Sequence, residues 1–127
     1  MRRSVNKAKA ALRYIRYLEK PEGRFRNMLS CAKRRATLRG IEFDDELYTL
    51  VLCPPTHCRS CGNELIYTVG RGIAGRRKSP SLDRLRNDEG YTLKNTRVIC
   101  YRCNIVKGDA CAIELQIVLA YIERELK

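Results

Sequence analysis

The sequence predicts an α+β fold, helical at both ends, with short strands between them and a staple of four cysteines. Three observations carry this reading: two Cys-x-x-Cys pairs, a change of apolar spacing after Pro54-Pro55, and a lopsided charge. Cys58 and Cys61 lie in His57-Cys58-Arg59-Ser60-Cys61-Gly62, and Cys100 and Cys103 in Cys100-Tyr101-Arg102-Cys103-Asn104. Two residues between thiols let a tight turn aim both sulfurs at one tetrahedral zinc, and two pairs fill all its positions. A closed site of this kind is structural, so any chemistry must come from residues that the zinc brings together. The 38 residues between the pairs, 62–99, exceed a short zinc-finger loop and should hold structure of their own.

Of the seven cysteines, three are left over. The odd count and the lack of a visible export signal fit reduced thiols on zinc better than disulfides. Cys31 and Cys111 sit in helical, apolar patterns and read as small core residues. Cys53, before Pro54-Pro55, is an alternative zinc ligand.

Taken in order, the elements begin with a helix capped by Ser4, with Ala8, Ala11, Leu12, Ile15 and Leu18 at helical spacing and Pro21 with Gly23 at its end. A second helix carries Phe25, Met28, Leu29, Ala32 and Ala36 on one stripe and stops at Gly40. Residues 41–43 read as extended, leading into an acidic helix that starts at Asp44 or Asp45 and contains Leu47, Leu50 and Val51. Residues 64–69 have strand-favouring composition, and 70–78 form a flexible basic loop. Residues 81–85 and 96–99 read as two strands joined through Asn87-Asp88-Glu89-Gly90. A helical turn from Cys103 to Lys107 follows. The last helix, 110–126, shows a stripe of Leu115, Val118, Leu119, Ile122 and Leu126, expected to cover the N-terminal helices.

These elements group into a basic helical region (1–55), a zinc-stapled module (56–108) and a C-terminal helix (109–127) within one domain of modest core. No segment reaches membrane-spanning length and the first twenty residues do not read as a signal peptide, so a cytosolic protein without a membrane partner is expected. The first 40 residues hold thirteen Lys and Arg against two Glu, a net +11 out of +12 for the chain. Such a field favours a polyphosphate partner, with an acidic protein as the rival. Arg34 and Arg35 of the second helix and Arg71, Arg76, Arg77 and Lys78 of the loop are the expected nucleic-acid contacts.

A strand pair leading into a helix beside two zinc knuckles, with Ser81-Leu82-Asp83-Arg84, Asn95 and Cys100-x-x-Cys103-Asn104-x-x-Lys107, resembles the HNH endonucleases. In layout it is similar to the phage recombination endonuclease VII group, and the match covers residues 56–108. The resemblance implies a ββα-metal module that hydrolyses DNA, branched DNA included, in a phage-infected bacterial cell; it also allows a homodimer. It places Asp83 at the carboxylate that binds a catalytic divalent cation and Asn104 at the second protein ligand; hard oxygen ligands suit Mg²⁺ or Mn²⁺. Asn95 matches the central Asn that orients the site, and Lys107 and Arg102 stand as phosphate contacts.

One departure concerns catalysis. Arg84 stands where the family has the His that activates water, and arginine stays protonated and cannot serve as that base. Arg84 would instead hold the scissile phosphate or stabilise developing negative charge, while water at the metal or a carboxylate such as Asp88 supplies the nucleophile. The alternatives are an ion pair from Asp83 to Arg84 or Arg86, Asn104 as a mere cap of the zinc turn, and His57 as a surface residue near the zinc, a displaced base or an alternative zinc ligand. At the level of function they are a noncatalytic zinc-containing nucleic-acid binder, or a protein-binding inhibitor using the basic face.

Overall fold

A computed structural model describes residues 2–67 and 76–127. Among these residues the order is α1 (Arg2–Leu18), α2 (Pro21–Arg39), a 3₁₀ segment (Asp45–Leu52), β1 (Pro80–Arg84), β2 (Thr96–Cys100), α3 (Tyr101–Lys107) and α4 (Ala112–Glu125). The architecture is α+β, with helical elements around a two-stranded antiparallel sheet among the described residues. None of these helices is long and apolar enough to cross a membrane.

α1 starts at Arg2, so Ser4 lies inside the helix rather than at its N-cap position. Pro21 begins α2, because its fixed φ and missing N–H suit a first helical position. The chain therefore turns between the two helices in a few residues. A Cβ at Gly23 would overlap the Tyr17 carbonyl, so a glycine is needed where the helices meet. α2 ends at Gly40, whose φ of 67° lets its N–H turn back to the carbonyls of Ala36 and Thr37.

Phe25, Leu29, Ala32 and Ala36 are buried at helical spacing along one face of α2. Phe25 and Leu29 share a core with Leu47 and Val51 of the 3₁₀ segment and with Leu65, Tyr67, Val98 and Ile99, with Cys58 and Cys100 inside the same cluster. Phe25, Leu29 and Leu47 are fully buried, each stabilising by about 1.5–3 kcal/mol. The acidic segment is 3₁₀ rather than α, and Asp44 caps it by accepting from the Glu46 N–H at 2.9 Å. Before it, the backbone pairs with the loop between the strands: Tyr91 N–H donates to Glu42 O and Asp44 N–H to Tyr91 O, both at 2.8 Å. Gly90 permits that approach, since a Cβ there would come within 2.6 Å of the Glu42 carbonyl oxygen.

β1 and β2 pair with Leu82 opposite Val98 and Asp83 opposite Arg97. Residues 64–67 do not continue this ladder. Glu64 forms only a single bridge to His57, because the turn at Gly62 (φ 78°) folds the segment back onto the first cysteine pair. The remaining residues of that expected strand, 68 and 69, and the loop through 75 lie outside the described residues.

The largest difference from the sequence reading is at the C-terminus. None of the residues of α4 is buried, and Val118, Leu119 and Ile122 are about half exposed (51%, 55% and 44%). The stripe expected to cover the N-terminal helices is uncovered in this chain, and α1 likewise buries nothing, with Leu12 and Ile15 exposed. Periodicity shows that a helix has an apolar face but not what that face meets. Cys111, expected in the core, is exposed where α4 begins, its N–H donating to the Glu114 carboxylate at 3.0 Å. That bond holds the Glu114 carboxyl below its ordinary range. Cys31 is only partly buried.

Candidate metal centre and the hairpin beside it

The first cysteine pair sits on a tight turn closed by Cys58 N–H to Asn63 O at 2.8 Å and Gly62 N–H to Cys58 O at 2.9 Å. The second pair spans a junction: Cys100 ends β2 and caps α3, its sulfur accepting from the Cys103 N–H at 3.4 Å. Two bonds lash the pairs together, Arg59 N–H to Val98 O at 3.1 Å and Cys100 N–H to Cys58 Sγ at 3.1 Å. The four sulfurs of Cys58, Cys61, Cys100 and Cys103 consequently lie within 4.8 Å of one another. A tetrahedral zinc with bonds of about 2.3 Å needs sulfurs roughly 3.8 Å apart. Cys61 and Cys100 are 4.0 Å apart, so the cluster fits that ion.

The electrostatics of the cluster are uneven. Burial pushes the Cys58 thiol up, but the backbone N–H groups of Cys61, Cys100 and Ser60 together outweigh it and bring it down to about 6. Burial pushes the Cys103 thiol up to about 12, and the neighbouring sulfurs of Cys100, Cys61 and Cys58 add to that. One sulfur thus ionises readily while another keeps its proton against the crowding of like charge. A divalent cation among the sulfurs would offset that crowding, and polarisable thiolates suit soft or borderline metals such as zinc. Cys53 is exposed and outside the cluster. His57 is also outside it, its Nδ1 2.8 Å from the Thr56 hydroxyl.

Beside the cluster, the loop joining β1 to β2 is held by side chains. The Asn95 amide, 3% exposed, accepts from the Arg86 N–H at 2.8 Å and donates to Arg86 O at 3.1 Å and Gly90 O at 2.9 Å. Arg84 donates to the carbonyls of Asn87 and Glu89, both at 3.0 Å, and lies over the Tyr91 ring. One of its guanidinium nitrogens is thereby committed to the loop. Arg97 does the same at the start of β2, donating to the carbonyls of Leu93, Lys94 and Thr96. Its place opposite Asp83 gave no sign of that role in the sequence.

Asp83 is 6% exposed and faces α3. Its partner is neither Arg84 nor Arg86 but Lys107, whose Nζ donates to Oδ1 at 2.8 Å and to the Arg84 carbonyl at 2.9 Å. Asn104 precedes Lys107 by three residues and so shares its helix face. The structure thus brings Asp83 and Lys107 together at a seam between β1 and α3, with Asn104 about one turn earlier on that helix. No local spacing announces the Asp83–Lys107 pair, because its members are 24 residues apart.

The expected phosphate contacts fall into two groups. Arg76, Arg77 and Lys78 are exposed beside the start of α3, where Tyr101 N–H donates to Ser79 O and Arg76 stacks on the Tyr101 ring at 5.6 Å. Exposed Arg102 follows on the next residue. Arg34 and Arg35 are exposed on α2. Arg71 lies outside the described residues.

Compared with known protein families, curated proteins and solved structures, the chain matches none.

Proposed function

We propose that this chain is an HNH-type DNA endonuclease, similar in layout to the endonuclease VII group, with a structural zinc and one Mg²⁺ or Mn²⁺. The observation that carries the reading is the seam on which buried Asp83 of β1 meets the face of α3 that bears Asn104, immediately beside the four-cysteine cluster. Asp83 and Asn104 would hold the divalent cation, which when bound supplies Lewis-acid polarisation of a phosphate oxygen and of water. Asn95 and Arg84 keep the loop in register with the strands. Arg84 stays protonated, so its contribution is positive charge and positioning rather than proton abstraction. Arg34 and Arg35, the Arg71 to Lys78 stretch and Arg102 would bind backbone phosphates, giving affinity that falls steeply with salt. The uncovered apolar faces of α1 and α4 support a homodimer.

A second reading rests on a specific observation. Lys107 already neutralises Asp83, and the chain's single histidine, His57, pairs with Thr56 beside the first zinc ligand. That arrangement favours a noncatalytic zinc module that binds nucleic acid. Incubating zinc-loaded protein with supercoiled plasmid and a four-way junction, in Mg²⁺, Mn²⁺ or EDTA, separates the two. Metal-dependent nicking that disappears in Asp83→Ala is expected; intact DNA with tight, salt-sensitive binding would transfer the conclusion to the second reading.

A further inference from the structure

The Asp83–Lys107 contact is a close ion pair, and its geometry says more than that two charges are balanced. The Asp83 side chain is 7% exposed and that of Lys107 24%. A carboxylate this enclosed needs a positive partner. Lys107 reaches it from the last turn of α3, and its ammonium rests between two oxygens of different origin, Asp83 Oδ1 at 2.8 Å and the Arg84 main-chain carbonyl at 2.9 Å. A carboxylate oxygen and a peptide carbonyl are the donors that hard cations take.

We infer that Lys107 is the resident cation of the Asp83 site, and that a divalent cation enters only as the Lys107 ammonium leaves, with the Arg84 carbonyl then serving as a ligand beside Asp83. This rests on the proposed role of Asp83 as a cation ligand. Two charges cannot share the position, because a second cation beside the ammonium meets repulsion in a poorly hydrated seam. The free protein therefore binds divalent cation weakly.

Lys107 is nonetheless partly exposed and carries a flexible stem, so it can turn outward. A DNA phosphate at the mouth of the seam gives the displaced ammonium a new partner. Phosphate and divalent cation then favour one another's binding through the same lysine, and the coupling is reciprocal. The sequence reading of Lys107 as a phosphate contact and its position on Asp83 become successive states of one side chain.

The test is Mn²⁺ binding to zinc-loaded protein, read from the electron paramagnetic resonance signal of free Mn²⁺, with and without a DNA duplex. Thiolates prefer zinc, so Mn²⁺ reports the oxygen site. Removing the competing charge in Lys107→Met should tighten binding of one Mn²⁺ by about tenfold or more, and Asp83→Asn in that background should abolish it. Lys107→Arg, which keeps the charge, should bind as weakly as the parent chain. DNA should strengthen Mn²⁺ binding to the parent chain and leave Lys107→Met unchanged. Retained zinc content and circular dichroism identify variants that have kept their fold. Equal affinity in the parent chain and Lys107→Met, with both sites lost on Asp83→Asn, would overturn the role of Lys107 and leave Asp83 as a ligand. No Asp83-dependent Mn²⁺ binding in any folded variant, with or without DNA, would overturn the cation reading of Asp83, and this proposal with it.

Discussion

Two charged centres share one hairpin and one short helix, and they are built to opposite rules. The sulfur cluster converges four ligands within 4.8 Å, with backbone N–H donors on the sulfurs of Cys58 and Cys100 and no ion pair to them among the described residues. A divalent cation such as zinc would complete it. The Asp83 centre carries its own counter-charge in Lys107 and is complete without one. The contrast shows that ligand-type residues do not by themselves announce an open metal site; what matters is whether the protein has already spent a cation there.

The contrast can be broken most forcefully at the sulfurs. Chelating a bound zinc should cost on the order of 10 kcal/mol in the module, the range of structural zinc sites, and Cys58→Ser should weaken metal binding and destabilise the module in the same direction. Loss of amide-exchange protection from Cys100 through Lys107, restored by adding zinc to the parent chain, is the expected result. Protection that survives chelation would mean that the core alone holds the hairpin. Between the centres, Asn95→Ala should destabilise by about 3 kcal/mol, because it strands two Arg86 backbone groups and the Gly90 carbonyl. Urea unfolding of the zinc-loaded variant measures it, and a change below about 1 kcal/mol would place the loop under other control. The smallest effect is expected at the Asp83 centre. Asp83→Asn should cost about 1–2 kcal/mol, since Lys107 can turn to water and the amide keeps an acceptor. A loss as large as that of Cys58→Ser would erase the distinction between the two centres.

What the sequence disclosed follows the range of the interactions. The cysteine quartet was legible because two short spacings constrain it, and the strand pair because Leu82 stands between Ser81 and Asp83 and Thr96, Val98 and Ile99 are β-branched. Pro21 and Gly40 were legible as punctuation, although Pro21 opens a helix where it was expected to help close one. The Asp83–Lys107 pair was not legible: it depends on the angle at which α3 leaves β2, and that is set by the Cys100 cap and the knuckle bonds. The exposure of α4 was hidden for a related reason. Its Leu, Ile and Val pattern specifies an apolar face and is silent on the partner. Cys111 was misplaced because a small apolar residue and a helix-start residue look alike in one letter of sequence.

The backbone bridge from Glu42 and Asp44 to Tyr91 bears on how this molecule can be cut and inherited. Residues 56–108 look like an exchangeable cassette when only cysteines and signature residues are considered. Yet the loop beneath Asn95 borrows its edge pairing from a segment upstream of that cassette, and Phe25, Leu29 and Leu47 supply the floor on which Val98 rests. A fragment starting at residue 56 would carry every ligand and signature residue of the module and still lack half of its walls. Recombination between genes, like truncation at the bench, would have to carry the helical half along with the chemistry.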